Sequence, residues 1–273
     1  MTGARPLFTE RHPWAYPLRV AQLRVARRVA DRRGGTRFAR HQVAERLPVL
    51  VTRHESILRR RLGSTDPALQ ETKIVNLRIA AATIDGLVIE PGETFSFWDR
   101  VGLPSARRGY REGLVLVGGG VTSGTGGGLC QLANLLHWMV LHTPLAVTER
   151  HHHGFDPFPD DRRVLPFGTG ASVFYNYVDL RVRNPTDLRF QLDVWLTDVD
   201  LMGRIRADRA PAVTYHLSEV GHHFERDRDA VLRCNEVWRR TVDRASGRVL
   251  ADERLMVNRS RVAYEVDEAL VAP

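Results

Sequence analysis

Cysteine is scarce in this chain of 273 residues, which holds only Cys130 and Cys234. Two thiols cannot build a disulfide framework, and no Cys-x-x-Cys pair offers zinc-ligand spacing, so a reducing compartment fits best. Long apolar runs are missing as well. No stretch approaches the ~18 apolar residues of a membrane span. Residues 1–17 carry prolines and charges where the ~7–15-residue apolar core of a signal peptide would have to lie. A cytoplasmic protein is therefore expected. No Gly-Lys-Ser/Thr follows the glycine-rich stretch, and no G-x-G-x-x-G follows an obvious strand, which leaves the phosphate-cradle reading weak. No motif interleaves basic and aromatic residues to read bases, so nucleic acid is not an expected partner.

What is present is an ordinary globular composition, 43% hydrophobic and 26% charged, enough for one large domain with or without a small appendage. Basic residues number 40 against 32 acidic, nearly all of them arginine, for a net charge of +8. That balance suits an anionic partner such as a phospholipid surface or a pyrophosphate-bearing precursor. Arginine enrichment beside alanine and glycine also follows from genome base composition, which is the simpler source.

The chain is organised around residues 118–141. Glycines crowd positions 118–128 and stop at Cys130, after which Leu132, Leu135, Leu136, Met139 and Val140 place apolar groups nearly all round a helix. Such a helix is buried. Gly126, Gly127 and Gly128 supply a backbone without Cβ obstruction, suited to a tight turn or a close ligand approach. Cys130 then sits in the first helical turn, where free N–H groups and the helix dipole favour a thiolate. The alternative is a small buried hydrophobe in a well-packed loop.

Elsewhere, 18–33 reads as a helix with Leu18, Ala21, Val25 and Val29 on one stripe, ended by Gly34 and Gly35. Such a basic amphipathic helix has two uses: contact with anionic lipid through residues 18–33, or, more commonly, packing of the stripe on its own domain. A shorter helix is expected at 49–61, its Arg59, Arg60 and Arg61 a solvated end, and a buried helix at 72–84, stopped by Asp85-Gly86. Asn76 on the latter should hydrogen-bond a neighbouring backbone. Strands are expected at 87–89, 94–98 and 110–117. From Ser172 onward the pattern is antiparallel: 178–183 and 188–197 flank a hairpin signal at 184–187, and 213–217, 234–242 and 249–258 continue it. Cys234 reads as structural. The whole indicates an α+β fold in which a buried Cys-bearing helix packs against an antiparallel sheet, with N-terminal helices. Residues 1–70 form an N-terminal helical segment, and 71–273 an α+β domain with C-terminal β-hairpins.

Several stretches together resemble the VanW family, named from a vancomycin-resistance gene cluster. They are residues 123–131, ending Gly-Gly-Gly-Leu-Cys-Gln; 76–86, Asn-Leu-Arg-Ile-Ala-Ala-Ala-Thr-Ile-Asp-Gly; 91–98, Pro-Gly-Glu-Thr-Phe-Ser-Phe-Trp; and 149–153, Glu-Arg-His-His-His. The resemblance spans about residues 17 to 265 and includes the N-terminal segment of the short stand-alone members. Some multidomain members are L,D-transpeptidases of peptidoglycan. The resemblance thus implies Cys130 as nucleophile, His153 as general base by match to Glu-Arg-x-x-His, and residues 128–130 as oxyanion donors. His151 is the second choice of base. His137 is the third, because 130, 134 and 137 share one helix face.

Substrate contacts are expected at Gly126, Gly127, Gly128, Gln131 and Arg150, with a peptidoglycan precursor or muropeptide as partner and no cofactor. Where the family often has Gly-x-Asp-Ala-Thr, this chain has Gly168-Thr169-Gly170-Ala171-Ser172, so an acidic residue that would orient the histidine is missing. Asp156 and Asp179 are the candidate substitutes. The other readings are a non-catalytic accessory protein that binds a peptidoglycan intermediate, and a metal site from Cys130, His151 and His153. Residues 155–167 read as a loop over the site.

Overall fold

A computed structural model describes residues 14–59, 68–117, 120–152, 154–156 and 165–272. In chain order they form α1 (Ala15–Arg33), β1 (Val49–Ile57), α2 (Ala68–Ala82), β2 (Leu87–Ile89), β3 (Thr94–Ser96), α3 (Phe97–Val101), β4 (Glu112–Val117), β5 (Gly120–Thr125), α4 (Cys130–Leu141), β6 (Ala146–Glu149), β7 (Phe155–Asp156), β8 (Arg181–Arg183), β9 (Phe190–Leu196), β10 (Asp200–Ala207), β11 (Val213–Asp227), β12 (Ala230–Asp243), β13 (Val249–Val262) and β14 (Val271–Ala272). The central sheet is antiparallel, in the order β1-β10-β9-β2. A three-stranded sheet β3-β8-β6, the hairpin β4-β5 and the C-terminal sheet β14-β11-β12-β13-β7 surround it.

The fold is α+β and strand-rich, with the Cys130 helix on an antiparallel sheet, as the sequence indicates. Alternation along β10 turns Leu201, Gly203, Ile205 and Ala207 inward, and α4 lies on that face and on β1. Gly203 is where the helix comes closest: a Cβ there would stand 2.5 Å from Met139 Cε. Leu132, Leu135, Leu136, Met139 and Val140 are buried as expected, each contributing roughly 1.5–3 kcal/mol by removal from water. The opposite side of β9 carries polar Gln191 and Asp193, both buried. Gln191 accepts from Leu47 N at 2.8 Å and donates to Glu45 O at 2.9 Å, while Arg46 and Arg206 hold Asp193.

Four expectations are corrected. Residues 49–57 form a strand rather than a helix: Val49, Val51, Thr52 and Ile57 are β-branched, and the segment pairs with β10 along its length. Of its arginine run, Arg59 pairs with Glu71, and residues 60 and 61 lie outside the described residues. The strand at 94–98 ends at Ser96, whose Oγ accepts from Asp99 N and starts the short helix α3. The turn at 184–187 forms, with Asn184 donating to Ile89 O and Leu188 O. It joins two sheets rather than two paired strands, because β8 pairs with β3 and β6 while β9 pairs with β10 and β2.

The fourth concerns α1, which does not pack its apolar stripe on the domain. Leu18, Val25 and Val29 are exposed. The opposite line faces the protein, where Arg24 donates to Tyr175 O, Arg27 pairs with Glu149, and Arg181 grips Asp31 with two hydrogen bonds. The surface beneath is polar, so the polar face of the helix is the one that matches it.

The glycine stretch is strand and turn. Residues 120–125 pair with β4, and the chain then folds back so that backbone lies on backbone: a Cβ at Gly127 would stand 2.1 Å from Gly113 C. Gly126 (φ +82°) packs on Pro104, and Gly128 (φ +91°) packs on the stem of Lys73. Asn76 clasps this junction as expected, donating to Arg111 O and Gly127 O at 3.0 Å each and accepting from Arg111 N at 2.7 Å. Gly127→Ala should therefore destabilise the fold by about 3 kcal/mol or more, since rigid backbone has to move. Gly92→Ala, at positive φ (+78°) but in open space, should cost about 1 kcal/mol from backbone strain alone. Urea unfolding of the two variants checks this, and equal losses would refute the close-packing account.

Candidate functional site

Three residues of α4, spaced i, i+4, i+7, lie on one face and hold an extended strap. Cys130 Sγ donates to Val173 O at 3.9 Å, Asn134 Oδ1 accepts from Ala171 N at 2.6 Å, and His137 Nδ1 donates to Thr169 O at 2.8 Å. The strap runs antiparallel to the helix and takes every second residue as a rung. Arg150 grips it from the other side, donating to Gly170 O at 2.9 Å and to Gly168 O. Gly170, the position that lacks the acidic residue, is tight against this clamp: a Cβ there would stand 3.1 Å from Asn134 Oδ1.

The strap and the start of α4 form walls of a cleft of ≈ 1100 Å³, which Gly126, Gly127, Gly128, Cys130, Gln131 and His151 all line. Arg150 is turned to the strap carbonyls, and its burial lowers it to about 10. Gln131 donates its amide to Ser56 Oγ and Ile57 O, both at 2.9 Å, tying α4 to β1. The N–H groups of Gly126, Gly127 and Gly128 go to Arg111 O, Gly124 O and Leu114 O. Among the described residues no protein acceptor takes the N–H of Leu129, the residue before the helix.

Cys130 is partly exposed. Burial nonetheless raises its thiol above the ordinary value, outweighing the smaller opposite effect of its backbone contacts at Val173 and Cys130. The position at the helix start therefore does not lower the resting pKa as the sequence suggests. His151 is an exposed residue bridged to Ser172 through the backbone, and its Nε2 lies 3.1 Å from Glu149 Oε1. His153 lies outside the described residues, as do 157–164 of the expected loop; Phe155 and Asp156 form β7, paired with β13.

Neither proposed substitute acid supports His151 in the way Glu149 does. Asp179 is fully buried and accepts from Ser96 Oγ at 2.6 Å, Trp98 N at 3.1 Å and Arg181 Nε at 3.0 Å. Asp156 pairs with Arg233 at 3.1 Å and accepts from Tyr264 OH at 3.0 Å. Sequence reasoning did not foresee the role of Glu149, or that of Lys73. Lys73 is the only lysine of the chain, and it lies buried in the cleft wall, donating to Leu58 O and to Gln70 Oε1. Its solitude in an arginine-rich sequence was the signal. At a distance from the cleft cysteine, His223, Glu225 and Cys234 bring three donor atoms within 4.8 Å. There Arg259 already donates to Glu225 at 2.7 Å, and burial, with Glu225 alongside, pushes Cys234 up to about 11.

His137 is buried and neutral: burial first, then the Arg150 charge, lower it to about 4. The unfolded chain, with an ordinary histidine near 6.5, takes up this proton first as pH falls. The stability tied to His137 is therefore complete above pH 6.5 and drains away towards pH 4, by up to about 3 kcal/mol. Wild type should lose that much more than His137→Asn between pH 7 and 4 in chemical denaturation, and parallel curves would rule the linkage out.

Residues 72–206, which hold the clamp, the strap and the central strands β2, β9 and nearly all of β10, match the family model described as VanW like protein. The vancomycin B-type resistance protein VanW of Enterococcus faecalis (strain ATCC 700802 / V583) is 32% identical over 266 residues, 97% of each chain. The uncharacterized protein YoaR of Bacillus subtilis (strain 168) is 32% identical over 112 residues, 40% of this chain and 34% of its own. No solved structure matches. With a family model matched across its middle and a relative aligned almost end to end, this chain belongs to the VanW family.

Proposed function

We propose that the protein takes a peptidoglycan stem peptide, or a precursor that carries one, into the cleft and that Cys130 attacks a carbonyl of it as an acyl-transferring nucleophile. The observation that carries this reading is the sulfur in the first turn of a buried helix, on the wall of a cleft also lined by a histidine with its own carboxylate, the His151–Glu149 pair. The family's link to vancomycin resistance, through the name of the Enterococcus relative, directs the reading to the cell wall.

The resting thiol is protonated at neutral pH, so the step needs a base, either His151 or His153. The imidazole takes the thiol proton as sulfur bonds to the carbonyl carbon. The amide C–N bond then breaks, and the amine departs with that proton. A second amine attacks the thioester carbonyl, the C–S bond breaks as the new amide forms, and the amine's proton passes through the imidazole to the sulfur, restoring the thiol. The N–H groups of Leu129 and Cys130 are the oxyanion donors, in place of Gly128. A second reading, binding of the same ligand without acylation, draws support from the raised thiol pKa.

Intact-mass analysis with tetrapeptide and pentapeptide stems separates the two. Acylation predicts an adduct on wild type, none on Cys130→Ala, and roughly 10²-fold slower formation in His151→Ala if that histidine is the base. Cys130→Ser should still bind the peptide, because most contacts lie elsewhere in the cleft. Tight calorimetric binding with no adduct, even when an amine acceptor is added, would leave the binding reading. Absence of binding would overturn both.

A further inference from the structure

The reversed helix α1 leaves an organised surface. Trp14, Leu18, Ala21, Val25 and Val29 succeed one another at intervals of three or four residues and so form a single line. Trp14 is 67% exposed, Leu18 64%, Val25 57% and Val29 37%. Large apolar groups exposed in register along a helix call for a partner, whereas scattered ones do not. The opposite line, Val20, Arg24, Arg27 and Asp31, is held by Tyr175, Glu149 and Arg181, so the helix cannot roll over to bury its stripe without breaking those ion pairs.

Charge identifies the occupant. Arg19, Arg28, Arg32 and Arg33 are exposed beside the stripe, and Asp31, the one acidic residue of α1, faces inward. We infer that α1 docks the protein on an anionic phospholipid surface, its axis in the plane of the interface, with the stripe in the acyl boundary and the arginines on lipid phosphates. Trp14 sits at one end of the stripe, and indole favours the headgroup level. A second copy of the chain is a poor occupant, because mating this face with itself sets arginines against arginines.

Arg24 lines the cleft from the inner side of the same helix. Docking therefore holds the cleft within about one helix diameter, ~10 Å, of the lipid surface. The inference is independent of any cysteine chemistry.

The test is co-sedimentation of the full chain with vesicles of equal parts phosphatidylglycerol and phosphatidylcholine, beside vesicles of phosphatidylcholine alone. Wild type should bind the anionic vesicles, and the partition should fall roughly tenfold in high salt as the arginines are screened. Leu18→Asp combined with Val25→Asp should lose roughly tenfold or more of the binding. Circular dichroism and the thermal transition should not change, because both positions are exposed. Arg28→Glu with Arg32→Glu should abolish the preference for anionic lipid. No vesicle binding by wild type, binding unchanged in the stripe variant, or a wild-type dimer that the stripe variant dissociates without any lipid binding would each overturn the inference.

Discussion

Everything at the cleft depends on the contact of the Gly127 backbone with the backbone of Gly113. Neither segment has a side chain to hold the other off, and Asn76 bridges them with three hydrogen bonds. The start of α4 is thereby fixed relative to α2 and β4, and with it the Cys130 sulfur. From that point the helix imposes its own spacing on the strap, one rung at each of Cys130, Asn134 and His137. The family's glycines, its asparagine and its cysteine are parts of a single mechanical unit, so a change at Gly127 acts on the site without touching a ligand.

A second constraint is the gathering of charge beneath α1. Glu149 faces Arg27, Arg181 and His151, while Arg181 also holds Asp31 and Asp179. Partly desolvated charges of this kind are tolerable only when each has a counter-charge, and removing one partner costs far more than replacing a whole pair. The carboxylate beside His151 is therefore locked into the scaffold. Arg27 shows the strain on the cationic side: burial, then the Arg181 charge, lowers it.

Much of this was legible in the sequence, and the failures have physical causes. The helices at α1, α2 and α4 and the positions of β11, β12 and β13 follow from apolar spacing and turn residues, which act locally, although β11 runs on to Asp227 where only 213–217 was expected. Asn76 was readable as a backbone clasp because a buried amide must find partners. The segment 49–57 misled because β1 is an edge strand, half-buried on both faces, and lacks the clean alternation of a sheet with one wet side. At 184–187 the turn chemistry was right, yet a turn does not record whether the next strand rejoins its neighbour or another sheet. The stripe of α1 was legible but its facing was not, because the groups that orient it, Tyr175 and Arg181, lie some 150 residues away in the chain. The glycines were read as suited to a tight turn, a close ligand approach or both; their N–H groups and missing side chains serve the turn and its packing, and Gly126, Gly127 and Gly128 also line the cleft.

That separation has a consequence during synthesis. Arg24 waits for Tyr175 across 151 residues, and Asp31 for Arg181 across 150. At elongation rates of about 5–20 residues per second the interval is roughly eight to thirty seconds. A helix of 19 residues is only marginally stable by itself in water, and for that time nothing of its eventual seat exists. For that interval the nascent chain carries a basic, half-apolar segment with no seat on the protein.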